Sequence, residues 1–76
     1  MSTLSRYYVR IKIDHETILL EYGKRNDIEF WPLSRDFVNY SILFVGTFSR
    51  ENMSALKLSV PIMGWSTLGS PPIDLH

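Results

Sequence analysis

Residues 6–14 read Arg6-Tyr7-Tyr8-Val9-Arg10-Ile11-Lys12-Ile13-Asp14, and within them Tyr7, Val9, Ile11 and Ile13 alternate with Arg6, Tyr8, Arg10, Lys12 and Asp14. A period of two puts the first set on one side of an extended chain and the second on the other, so this segment predicts a half-buried β-strand. Downstream, Asp14-His15-Glu16-Thr17 supplies turn polarity, and Ile18-Leu19-Leu20-Glu21-Tyr22 offers a second apolar alternation. A four-residue loop would set Ile13 opposite Ile18, Ile11 opposite Leu20, Val9 opposite Tyr22, and Arg10 opposite Glu21. Sliding the second strand by two residues keeps the apolar face and brings Lys12 to Glu21 instead, so pattern alone leaves the register open.

Farther out, Gly23-Lys24-Arg25-Asn26-Asp27 predicts a turn, and residues 27–31 a third strand that ends at Pro32 or lies at a sheet edge, because proline cannot donate to a ladder. Ser34-Arg35-Asp36-Phe37 has N-cap chemistry suited to one helical turn. From Tyr40 to Phe48 apolar residues fall on both faces, which calls for cover on both sides, and Gly46 marks a bulge or a close backbone approach. After Ser49-Arg50-Glu51-Asn52, the alternation Leu56, Leu58, Val60, Ile62 predicts a fifth strand. The rival over 50–60 is a helix capped by Ser49, with Glu51 in its first turn and Lys57 in its last. Met63-Gly64-Trp65 suits a short final strand, and Ser70-Pro71-Pro72 opens a tail that cannot pair regularly.

Composition agrees with this reading. Ten aromatics and fifteen Val, Ile or Thr residues stand against one alanine, Ala55, a balance that favours pleated strands. The expected fold is mainly β: a small antiparallel sheet or partly open barrel of four to six strands, with at most one short helix. One domain over 1–69 and a tail over 70–76 account for all 76 residues.

Several chemistries lack their parts. Without cysteine there are no disulfides, thiolate metal sites or thiol nucleophiles. Asp14-His15-Glu16 groups three ligand types, but consecutive side chains diverge, and a solvated turn is the simpler account. Gly64-Trp65-Ser66-Thr67-Leu68-Gly69 approaches a nucleophile elbow and fails where Leu68 replaces the second glycine. Glu16, Glu21 and Glu29 are expected on water-facing surfaces. No enzyme activity, metal or cofactor is therefore expected. The amino-terminal residues show no secretory pattern, so Asn39-Tyr40-Ser41 and Asn52-Met53-Ser54 are not read as glycosylation sites. The apolar run 37–48 is too short to span a bilayer, and the expected location is the cytoplasm.

Two patterns could carry binding. Arg6, Tyr8, Arg10 and Lys12 form a row of three cations around one ring, the combination that sheet surfaces use for single-stranded nucleic acid. Eight basic and eight acidic residues leave no net charge to attract a polyanion, and an ordinary solvated face is the plainer reading. Charge is also unevenly spread: residues 1–38 hold twelve of the sixteen charged side chains, and 58–73 hold none. A domain this small buries only about 60% of its unfolded surface, so some of Phe37, Leu43, Val45, Met63, Trp65 and Leu68 should stay exposed. Aromatic and Met enrichment with charge depletion marks an interface centre. The competing account makes these residues core, with the charged amino-terminal half as its outside.

The expectation is a non-enzymatic protein-binding module, an inhibitor or adaptor of a larger machine of the kind phages and mobile elements encode, or a self-associating chain. Trp31, Phe37, Met63 and Trp65 are its candidate anchors, and Arg6, Tyr8, Arg10 and Lys12 those of the nucleic-acid alternative. The tail Pro72-Ile73-Asp74-Leu75-His76 resembles the Pro-x-Asp-Leu-Ser peptides that dock onto the C-terminal-binding-protein corepressors, with His76 in place of serine. A frayed or packed terminus is the alternative for those five residues.

Overall fold

The computed structural model describes residues 4–67. In chain order it contains β1 (Leu4–Lys12), α1 (Glu16–Arg25), β2 (Phe30–Asp36), β3 (Ser41–Ser49), α2 (Arg50–Ser59) and β4 (Gly64–Thr67). A single 3₁₀ turn, Ile13–His15, leads into α1. The strands make one open sheet in the order β2-β3-β1-β4, each neighbouring pair antiparallel. This βαββαβ connectivity is the split βαβ of the ferredoxin-like topology. The expectation of a small antiparallel sheet holds with four strands. Among the described residues the sheet is open, with β2 and β4 at its edges, and is not a barrel, and a second helix exceeds the single short one expected.

Strand β1 forms two residues earlier at each end than the expected 6–14, with Tyr7, Val9 and Ile11 buried and Ile13 and Asp14 in the 3₁₀ turn. Its partners differ from the expected hairpin. Val9 lies opposite Phe44 on one side and Trp65 on the other, and Arg10 lies opposite Leu43 and Gly64. The segment 18–22 lies inside α1, whose buried residues Leu19, Tyr22 and Gly23 follow a helical spacing of three and four. Ile18, 44% exposed, and Leu20 sit off that stripe. Acidic Glu16 at the start and Lys24 and Arg25 at the end suit the helix dipole.

Over 50–59 the rival helix is the one that forms, and the expected fifth strand does not. The Ser49 hydroxyl accepts from the Asn52 amide at 3.1 Å, and Met53 and Leu56 point inward. Leu58, which a strand would have buried, is 90% exposed. The third strand starts later than expected and runs on through Pro32, at a sheet edge, with a register break between Pro32 and Ser34. Ser34 begins no helical turn. Asp36 does the capping instead: its carboxylate accepts from the amides of Val38 and Asn39 and from Asn39 Nδ2, closing the β2–β3 turn. The Asn39 side-chain bond is the largest of the contacts that hold the Asp36 carboxyl below its usual range. Ser70–His76, with the docking-like tail, lies outside the described residues, as does Leu68.

Both helices cover one face of the sheet, where Val9, Ile11, Ile42, Phe44 and Phe48 meet Leu19 and Tyr22 of α1 and Met53 and Leu56 of α2. The Tyr22 hydroxyl donates to the Asn52 carbonyl at 3.0 Å, tying the helices together, and burial pushes that hydroxyl's pKa up. Phe30 packs edge-on against Phe44 and Phe48. Its ring fits because Gly23 and Gly46 bring no side chain: a Cβ on either would lie 3.0 Å from it. Gly46 thus marks a close approach, and the ladder irregularity sits on β2 instead.

Candidate functional site

Among the described residues no helix covers the other face of the sheet. Alternation delivers to it Arg6, Tyr8, Arg10 and Lys12 from β1, Leu43, Val45 and Thr47 from β3, and Trp31 from β2. The register sets Trp31 opposite Val45 and Val45 opposite Tyr8, so a single transverse row reads Trp31, Val45, Tyr8, Ser66. Trp31 is 59% exposed, while Tyr8 and Val45 are half-buried.

Around this row lies a depression of about 560 Å³. Trp31, Leu33 and Val45 give it an apolar floor and one wall, and Arg6, Tyr8 and Thr47 stand on the β1 side. Asp27 and Glu29, from the connection into β2, close one end. Asp27 is held there with φ 57°, a left-handed conformation that aspartate and asparagine tolerate better than most residues. Among the described residues the one ion pair is Arg35 with Glu16, at 3.1 Å, and Arg6, Asp27 and Glu29 make no salt bridge with any other described residue.

Toward the opposite end the face is occupied by its own contacts. Arg10 Nη1 donates to Ser41 Oγ at 3.0 Å, and the Arg10 charge is among the influences that lower Asp36. Leu43 is buried there without joining the main core.

The expected row Arg6, Tyr8, Arg10, Lys12 is therefore real, but only Arg6 and Tyr8 reach the depression. The four expected anchors do not form one site. Trp31 lies in the depression, and Phe37, 74% exposed, is in the β2–β3 turn. Met63 and Trp65 belong to the other edge, at β4. Trp65 packs on the core-facing Tyr7 with ring centroids 5.9 Å apart, and Lys57 Nζ sits 5.0 Å over its ring, so this indole is half engaged within the molecule. Of the Asp14-His15-Glu16 trio, Glu16 is spent on Arg35. Among the described residues no three His, Cys, Asp or Glu side chains converge as metal ligands.

Comparison with protein families, curated proteins and solved structures finds no match to this chain. Function rests on the site's own chemistry, because a ferredoxin-like sheet serves many unrelated activities. No helix among the described residues is long and apolar enough to cross a membrane. Leu33, Thr47 and Asp27 were not singled out by sequence pattern, and Glu29 entered only as a water-facing carboxylate. Only the closeness of Asp27 and Glu29 to Trp31 along the chain hinted at them.

Proposed function

We propose that the chain is a non-enzymatic protein-binding module whose contact surface is the uncovered sheet face, centred on Trp31. The observation that supports this is the make-up of the depression. An exposed tryptophan with Tyr8 and Arg6 across Val45 from it supplies the three residue types that dominate interface energetics, around an apolar floor with charges of both signs at the rim. An inhibitor or adaptor that occupies a site on a larger protein fits such a surface, since it needs no catalytic group of its own.

The test is affinity capture with the tagged chain, its Trp31→Ala variant and its Trp65→Ala variant, followed by mass spectrometry. The expected result is a protein recovered with the parent and with Trp65→Ala, and lost with Trp31→Ala. Equal recovery by all three, or recovery by none, would reject the reading.

A second reading keeps one observation of its own. Tyr8 and Trp31 give the open face two rings in one row, flanked by Arg6, which suits stacking of single-stranded nucleic acid. Asp27 and Glu29 weaken it, because they place negative charge where phosphates would run. A salt-sensitive gel shift of a short oligonucleotide, abolished by Arg6→Ala, would promote it.

A further inference from the structure

The depression is polarised, and its polarity specifies an occupant more closely than a generic partner. We infer that it receives an extended polypeptide segment bearing an arginine or lysine, whose charged head lies over Trp31 and meets Asp27 and Glu29. This rests on the protein-binding reading above and adds the chemistry of what is bound.

Three observations converge. Asp27 and Glu29 line one end and make no salt bridge among the described residues, Lys24 standing beside them outside the depression, so their carboxylates are open to a cation that enters. Trp31 offers its ring at the same place, and a guanidinium or ammonium over tryptophan gains a cation–π attraction that a neutral side chain does not. Tyr8 stands on the far side of Val45, two strand spacings or roughly 10 Å from Trp31, enough for one side chain to lie on the Val45 floor between them. Arg6 adds direction: beside Tyr8 it suits an acidic side chain or a carbonyl of the same segment. A nucleic acid would satisfy Arg6 and the rings but would set phosphates against the two carboxylates.

The test uses the isotope-labelled full chain and three probes, followed by NMR. The first is a capped hexapeptide of glycine, arginine, leucine, glycine, glutamate and glycine. The second replaces its arginine by the neutral isostere citrulline, and the third is a ten-nucleotide oligothymidine. The expected result is that the arginine peptide shifts the Trp31 indole and the amides of Glu29 and Val45, and binds at least tenfold more tightly than the citrulline peptide. Converting Asp27→Asn and Glu29→Gln together should erase that tenfold preference, with the spectrum otherwise showing an intact fold, since asparagine accepts the left-handed backbone at 27.

Equal binding of the two peptides at those residues would overturn the cation while leaving a polypeptide surface standing. Oligothymidine shifting the same residues when neither peptide does would overturn both this inference and the reading beneath it. Absence of any shift at millimolar arginine peptide would overturn the inference alone, because the Trp31-dependent capture above judges the reading separately.

Discussion

The two faces of this sheet are built from alternate residues of the same strands, and they do opposite jobs. On the covered face Tyr7, Val9, Ile11, Phe44 and Phe48 lie under two helices, and Phe30 is fitted between two glycines. On the open face Tyr8, Val45 and Trp31 line the depression that we propose as the contact surface, with Arg6, Asp27 and Glu29 around them. Neighbours one position apart along β1 therefore differ in kind: changing Tyr7 should unsettle the fold, and changing the half-buried Tyr8 should unsettle it less while weakening the proposed contact. A period of two lets one strand serve both needs at once.

The contrast is testable from its strongest end. Phe48→Ala removes a fully buried ring and should cost about 3–5 kcal/mol in urea denaturation, enough to leave much of the chain unfolded. Gly23→Ala is subtler. Alanine is the better helix former by about 1 kcal/mol, yet its Cβ would sit 2.5 Å from the Ile28 carbonyl oxygen. That atom is backbone and cannot swing aside, so net destabilisation of about 1–3 kcal/mol is expected, and a more stable variant would show the packing to be looser than described. Ser49→Ala should lose about 1 kcal/mol by removing the cap of α2. Trp31→Ala, on the open face, should stay within about 0.5 kcal/mol of the parent while abolishing partner capture. A large loss of stability there would erase the distinction between the faces.

The β2–β3 turn provides the smallest effect and a pH dependence. Asp36 is held below the ordinary aspartate value of 3.8, chiefly by Asn39, so its contribution is complete above that value and disappears as pH falls through the lower folded one. NMR titration should follow the turn loosening only in that acid range. Asn39→Ala should move the Asp36 titration upward toward 3.8, and an unmoved midpoint would mean that the side-chain bond is not what depresses it.

What could be read along the chain was whatever depended on neighbours in sequence. The alternation through β1 survives folding because nine extended residues leave no helical alternative that buries Val9 and Ile11 together. Five residues are too few to choose: Ile18, Leu20 and Tyr22 satisfy a strand as well as Leu19, Tyr22 and Gly23 satisfy a helix, and the packing of α1 on β1 and β3 decides it. In 56–62 the apparent alternation straddles a boundary, since α2 ends at Ser59 and the chain is extended at Val60. The Ser49 cap was visible, and it was the better signal. The depression was least legible, because Trp31, Val45 and Tyr8 come together only through pairing of three strands far apart in sequence.

Pro32 and the register break beside it lie on β2, at the rim of the sheet next to the exposed Trp31 and Leu33. An uninterrupted edge with such greasy neighbours would be a template for copy after copy to zip on and grow into fibre. A missing amide and a ladder out of step interrupt that template along β2.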